Sequence, residues 1–277
     1  MPELVLKDSE FHKLSKFVQG MAGINLHEGK KELVKARLGR ILRQRDFQTF
    51  GEYYDYLVND KGGYELTVLL NSISTNLTYF FREPQHFEFL VKGALPGILK
   101  NKEASRDCSL KFWSAGCSSG EETYSLAIAV IESLNDRERW HINILGTDLS
   151  TKVLEIANAG IYEERGIAAI PYELKKKYFQ MGANRWKGYI RVKPEFRKMI
   201  HFKRLNFMED FHFAEPFDVI FCRNVMIYFD KQTREMLVGK FIHNLAHGGY
   251  FFIGHSESLI GIKHNLKYIQ PSVYRKM

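Results

Sequence analysis

The segment Phe112-Trp113-Ser114-Ala115-Gly116-Cys117-Ser118-Ser119-Gly120-Glu121-Glu122 runs from apolar residues through small ones to a pair of carboxylates. That order fits a strand, a tight turn and the first turn of a helix. Small residues let a ligand approach the backbone, and a helix start offers free amides. A dinucleotide fingerprint would read Gly-x-Gly-x-x-Gly and leave the helix start to a pyrophosphate. Here Ser118 replaces the middle glycine, and Glu121 and Glu122 stand where they would repel a pyrophosphate. The turn suits a ligand with a positive group, such as the amino group or sulfonium of S-adenosylmethionine. No Gly-Lys-Ser/Thr follows, which excludes a P-loop. Farther on, Gly146-Thr147-Asp148 ends another apolar run. A carboxylate there can accept hydrogen bonds from both ribose hydroxyls of a nucleoside.

Three other matches carry no chemistry. Asn76-Leu77-Thr78 fits a glycosylation sequon, but no other feature points to export. His243 and His247 are spaced for one helix face, yet no glutamate follows the first histidine as a zinc protease requires. Gly254-His255-Ser256-Glu257-Ser258 approaches a nucleophile elbow but ends in serine.

The elements that must hold these residues change style along the chain. Residues 1–75 read as helices. Ser9 is placed to cap the first, which carries Phe11, Leu14, Phe17 and Val18, and Gly23 breaks it. A second helix over about 29–45 has Leu33, Val34, Leu38, Ile41 and Leu42 as its apolar stripe, surrounded by lysines and arginines. From about 107, short apolar runs alternate with helical segments, the mark of a parallel α/β sheet. Strands are expected at 110–115, 142–147, 201–205, 217–222, 249–254 and 273–276, and helices at 121–134, 151–158 and 231–245. The span 178–204 interrupts this rhythm and reads as a small antiparallel ribbon, with 189–192 alternating like a strand. It holds eight Lys/Arg and one acid, Glu195.

Composition narrows the class. The 277 residues are 45% hydrophobic and 26% charged, ordinary for a folded soluble chain of two domains. The longest strictly apolar run, 126–131, is far too short for a membrane span. Met1-Pro2-Glu3 opens no leader pattern, so export is not expected. Three cysteines, Cys108, Cys117 and Cys222, lack metal-type spacing and favour a reducing compartment. Forty Lys and Arg against 32 Asp and Glu leave a formal charge of +8, which favours an acidic partner.

Taken together, the residues resemble the CheR family of chemotaxis receptor methyltransferases. The resemblance rests on Asn76-Leu77-Thr78-Tyr79-Phe80-Phe81-Arg82-Glu83, on 113–122, on 217–229, and on Gly254-His255-Ser256-Glu257. It runs in order from about residue 10 to the end. Thr123 departs from the proline many relatives carry after the paired glutamates, and removes no functional group.

The resemblance implies a Rossmann-like S-adenosylmethionine-dependent methyltransferase domain over 107–277, with 178–204 as an inserted antiparallel β-subdomain. A small all-helical N-terminal domain (1–75) and a linker covering the cofactor (76–106) precede it. The implied reaction moves the methyl of S-adenosylmethionine to the γ-carboxylate of receptor glutamates, leaving a methyl ester and S-adenosylhomocysteine. A carboxylate is already ionised at pH 7, so the enzyme needs positioning and water exclusion rather than a base or a metal. Asn76, Thr78 and Arg82 would close over the cofactor beside Gly116. Glu122 would hold the methionine part, Asp148 the ribose and Asn206 the adenine, with Phe207 beside it. Arg223 and Asn224 would line the transfer face, and Arg82 and Tyr228 would orient the substrate carboxylate.

The implied partner is the acidic cytoplasmic helical bundle of a chemoreceptor, met by Lys35, Arg37, Arg40 and Arg43. In some members the β-subdomain also tethers a receptor C-terminal tail peptide, here through Arg185 and Arg191. The expected location is the bacterial cytoplasm, at receptor clusters, without membrane insertion. Two other classes are disfavoured. A base-nitrogen methyltransferase of nucleic acid would show Asn/Asp-Pro-Pro-aromatic where Cys222-Arg223-Asn224-Val225 stands. A non-catalytic module would be expected to lose the glycine turn or Asp148.

Overall fold

The structure, a computed structural model, describes residues 4–73 and 76–277. The chain start Met1-Pro2-Glu3 and the domain boundary placed at residue 75 lie outside the described residues.

Among the described residues the N-terminal part is built by the α-helices α1 (Asp8–Ala22), α2 (Lys31–Gln44), α3 (Phe50–Asn59) and α4 (Tyr64–Ile73). Ser9 does not cap α1. The helix starts one residue earlier, and Glu10 reaches back to accept from the Lys7 amide at 2.9 Å. Gly23 ends it at φ 71°, a left-handed position that suits glycine. In α2, Val34, Leu38, Ile41 and Leu42 face a core shared with Phe11, Leu14, Phe50 and Tyr53. Burying each such side chain stabilises by about 1.5–3 kcal/mol, which offsets the weak intrinsic stability of short helices.

Helices α5 (Pro84–Phe89) and α6 (Leu95–Ala104), joined by a π-helical turn (Leu90–Ala94), lead to the sheet domain. Its elements are β1 (Ser109–Ala115), α7 (Glu121–Ser133), β2 (His141–Asp148), α8 (Thr151–Ala159), β3 (Ile161–Glu163), α9 (Tyr172–Tyr178), β4 (Phe179–Met181) and β5 (Tyr189–Val192). There follow α10 (Pro194–Arg197), β6 (Ile200–Arg204), β7 (Phe217–Cys222), α11 (Lys231–His243), β8 (Leu245–Ile253), β9 (Leu266–Gln270) and β10 (Val273–Lys276).

The large sheet has seven strands in the order β6-β2-β1-β7-β8-β10-β9. The first five are parallel, and β10 runs antiparallel to both neighbours. Numbered within this sheet alone, the order is 3-2-1-4-5-7-6, a Rossmann-like doubly wound arrangement. Side chains alternate between two cores. Phe112 faces α7 and the α5–α6 region, whereas its neighbour Trp113 faces α11 through Phe241. The order reverses between β1 and β7, where an open α/β sheet leaves a crevice at its carboxyl edge.

The small sheet is antiparallel, ordered β3-β5-β4. It differs from the ribbon expected over 178–204 at both ends. Strand β3 comes from before that span, and Ile200–Arg204 pairs with β2 in the large sheet. Strand β6, the edge of that sheet, is the strand expected at 201–205, so the ribbon ends before it. Strand β9, at the other edge, answers to no expected strand, since its residues are mostly exposed or half-buried.

Candidate active site

A cleft of about 900 Å³ opens at the carboxyl edge, over the ends of β1, β2 and β7. Its lining includes Asn76, Thr78, Arg82, Gly116, Glu122, Asp148, Phe207, Arg223, Asn224 and Tyr228. Ten of the residues singled out from the sequence therefore meet in one place, although they span about 150 positions of chain.

The floor is the glycine turn. The Gly116 and Cys117 amides donate to the Thr147 carbonyl at 2.7 and 2.8 Å, binding the turn to the end of β2. Gly116 has φ 79°, and a Cβ there would lie 2.3 Å from Val225. No other residue fits that position without moving the opposite wall. Asp148 accepts from the Ser118 amide at 2.8 Å through one carboxylate oxygen and from Ser150 at 2.9 Å through the other. These bonds fix its orientation and leave further lone pairs for a ligand. Burial pushes its carboxyl up, and the backbone amides pull against that.

Only one of the paired glutamates faces the cleft. Glu121 turns back to accept from the Ser119 hydroxyl at 2.7 Å. Glu122 accepts from the Ser114 hydroxyl at 2.7 Å and from Arg223 Nη1 at 3.1 Å. Burial raises the Glu122 carboxyl, opposed by the Arg223 charge. Arg223 is itself buried, stacked over Phe87 and Phe221, and its Nη2 meets Glu83 at 3.1 Å and the Arg82 carbonyl. Its Nε has no partner among the described residues. A buried unpaired N–H is costly, so a cleft ligand with an acceptor group fits it.

The wall carries Arg82, between two left-handed residues, Phe81 and Glu83, both at φ 55°. Arg82 Nη1 donates to the Leu77 carbonyl at 2.8 Å, and its guanidinium lies over Tyr79. The Ser118 hydroxyl donates to the Asn76 carbonyl at 3.1 Å, drawing residues 76–83 across the turn. Tyr228 lines the facing loop after β7, where its carbonyl accepts from the Asn25 amide at 2.8 Å.

Asn206, expected beside the adenine, keeps its side chain out of the cleft lining. It is buried outside the cleft lining, and its amide is already engaged by the Met21 carbonyl at 2.7 Å and the Met208 amide at 3.1 Å. Its neighbour Phe207 lines the cleft instead. The sequence reading missed Ile24, Ile73, Leu149 and Phe229, which give the cleft an apolar side. They come from four separate segments, and no spacing could have joined them.

The two expected docking groups lie apart from this cleft. On α2, Arg40 and Arg43 are exposed and Lys35 is half-buried. Arg37 is turned inward and donates to the Ile73 carbonyl at 2.6 Å, closing the end of α4. That bond caps the helix end. On the small sheet, Arg185 and Arg191 are exposed, and Arg185 lies over Trp186. Strand β5, which bears Arg191, is central rather than an edge.

Beside the cleft, Glu83, His86 and His255 bring ligand-type atoms within 4.8 Å of one another. Arg223 shares that Glu83 carboxylate, and its charge opposes a cation there.

Residues 76–275 match the family described as CheR methyltransferase, SAM binding domain, and residues 9–74 match CheR methyltransferase, all-alpha domain. The chain belongs to the CheR methyltransferase family. It is 44% identical to a chemotaxis protein methyltransferase of Borreliella burgdorferi, over 98% of this chain and 95% of that one. It is 36% identical to chemotaxis protein methyltransferase 2 of Pseudomonas aeruginosa, over 99% of this chain and 97% of that one. This CheR protein is thus an S-adenosylmethionine-dependent methyltransferase. Its Rossmann-like sheet and helical N-terminal part are those the family resemblance implied. Among the described residues no helix is long and apolar enough to cross a membrane.

Proposed function

We propose that this CheR protein transfers a methyl group to the γ-carboxylate of glutamates in the cytoplasmic helices of a chemoreceptor. The observation that carries this reading is the charge layout of one cleft. Two carboxylates, Glu122 and Asp148, form its floor, and a guanidinium and a phenol, Arg82 and Tyr228, lie on its walls. The floor suits the cationic, ribose-bearing cofactor, and the walls suit an anionic acceptor. The names of the relatives, chemotaxis protein methyltransferases, support the same setting.

Bound S-adenosylmethionine supplies a methyl on a sulfonium, open to in-line attack by a carboxylate oxygen. Asp148 would accept the ribose hydroxyls and Glu122 the amino group. The unpartnered Arg223 Nε would donate to the cofactor's carboxylate. Asn76 and Thr78 would close the cover, and Phe207 and Leu149 would exclude water from the base. Arg82 would hold one oxygen of the substrate carboxylate and Tyr228 the other, leaving a lone pair aimed along the methyl–sulfur axis. No residue takes a proton, because the acceptor arrives ionised.

Receptor contact would use the exposed cations of α2, Arg40 and Arg43, with Lys35 beside them. A receptor tail peptide of acidic and aromatic residues would bind the small sheet. A groove of about 690 Å³ there is lined by Met181, Trp186, Tyr189 and Arg191. The outer edges of β3 and β4 can accept an added strand, with Arg185 and Arg191 pairing to its carboxylates. The protein would work in the bacterial cytoplasm, at receptor clusters.

The test is incubation with methyl-labelled cofactor and purified receptor cytoplasmic domain or RNA. Label on the receptor that is released as methanol by mild alkali supports the reading. Alkali-stable label, or label on RNA, would replace it.

A further inference from the structure

One carboxylate outside the cleft lining organises the loop that carries much of it. Glu257 lies on the loop after β8 and does not line the cleft. Its Oε2 accepts from the Gly254 amide at 2.6 Å and the Asn224 amide at 2.9 Å, and its Oε1 accepts from the Ile227 amide at 3.2 Å. The Met226 amide adds to the same carboxylate. Three of these donors sit in residues 223–228, the loop that presents Arg223, Asn224 and Tyr228 to the cleft.

That loop has few internal means of holding its shape. Asn224 is left-handed at φ 59°, and a short 3-10 turn, Met226–Tyr228, follows. The first amides of such a turn have no partner within it. A carboxylate set among them supplies the missing acceptors and the favourable charge. The two loops also fit closely. A Cβ on Gly254 would fall 2.5 Å from Asn224 Nδ2 and 2.8 Å from its amide nitrogen. Glu83 holds the same asparagine from the other side, accepting from its Nδ2 at 3.4 Å.

We propose that Glu257 is a positioning residue for methyl transfer. By gathering the amides of Asn224, Met226 and Ile227 onto one carboxylate, it sets the loop shape that aims Asn224 and Tyr228 into the cleft. It touches neither cofactor nor substrate. This inference rests on the proposed reaction at that cleft, and it gives the Gly254-His255-Ser256-Glu257 motif a physical task.

The test uses the full chain and Glu257→Gln. The amide keeps the side-chain shape but turns an N–H toward backbone N–H groups. Amide hydrogen exchange at Asn224 and Ile227, cofactor affinity, and receptor methylation at saturating cofactor are measured. The expected result is faster exchange at both amides with kcat lower by about 30-fold, the scale of a sub-ångström misplacement, and KM for the receptor within about threefold. Glu257→Ala with added formate is the second variant. Formate should refill the amide cluster, slow exchange again and recover part of the lost kcat, while leaving Arg82→Ala unrescued. Wild-type kcat and cofactor affinity in Glu257→Gln, despite faster exchange, would overturn the proposal, as would a Glu257→Ala loss that formate leaves unchanged. Failure of the wild-type chain to methylate receptor is a separate result that overturns the proposed function. The role of Glu257 then stands on cofactor affinity, expected about fivefold weaker in Glu257→Gln because Arg223 and Asn224 share the loop, and unchanged affinity would refute it.

Discussion

Arg223 Nη1 lies 3.1 Å from Glu122 Oε2, and both side chains are largely withdrawn from water. The same guanidinium reaches Glu83 at 3.1 Å, so one cation holds the cleft floor against the segment that leads into α5. Removing it leaves two carboxylates in a poorly solvated place. Arg223→Met should therefore destabilise the fold by about 3–5 kcal/mol, the usual result of stripping one partner from a buried pair. Urea melts at pH 7.5 would measure it. A change below about 1 kcal/mol would mean that the carboxylates are relieved by water or protonation instead.

Arg82 and Tyr228 are assigned to the acceptor rather than the cofactor. Arg82→Ala should lower kcat by about 100-fold or more, with cofactor affinity within about fivefold, because a charge-assisted contact to the reacting carboxylate is lost. Tyr228→Phe should act in the same direction and less strongly, since one hydroxyl is removed. Single-turnover kinetics with calorimetry separate the two effects. Equal losses in affinity and rate would make Arg82 a clamp on the cofactor.

His86 predicts an acid-sensitive fold. Its ring is buried against Phe221 and Phe252 with no hydrogen bond among the described residues, and burial, with the Arg223 charge, outweighs Glu83 at 3.3 Å and pushes its pKa down to about 3. Between that value and the ordinary 6.5 the unfolded chain binds a proton that the native state refuses. The unfolded state holds more protons there, so stability rises with pH across this window and is lost as pH falls through it. His86→Phe should flatten that slope. Melting temperatures at pH 8 and pH 5 should differ less in the variant than in the wild type, and equal differences would refute the assignment.

The α2 surface gives an ionic-strength prediction. Arg40→Glu with Arg43→Glu should slow receptor methylation at low salt, mainly through KM, and leave cofactor affinity unchanged. The wild-type rate should fall as salt rises, because exposed charges are screened within about 10 Å at 0.1 M. A salt-independent rate would make the basic face a solvated surface only. Arg37 is not part of this test, since its guanidinium caps α4.

Much of the cleft was legible because its chemistry sits at strand ends. A glycine turn, an acid after the next strand and an arginine after β7 are each local features, and a parallel sheet brings them to one edge. What escaped was long-range. Asn206 carries a cleft-like amide, but α1 ends beside it and the Met21 carbonyl takes that amide. Glu121 and Glu122 look alike in sequence, and only their positions on the first turn of α7 send one to Ser119 and the other to Arg223. Edge strand β9 was missed because one face of it meets solvent and dilutes the apolar signal.

The most direct measurement locates the methyl group. Wild-type protein is incubated with S-adenosylmethionine and a receptor cytoplasmic domain, and the receptor peptides are read by fragmentation mass spectrometry. The account predicts methyl esters on glutamate side chains of the helical bundle, absent with Arg82→Ala. Methyl groups on lysine, on backbone nitrogen or on no receptor residue at all would contradict it.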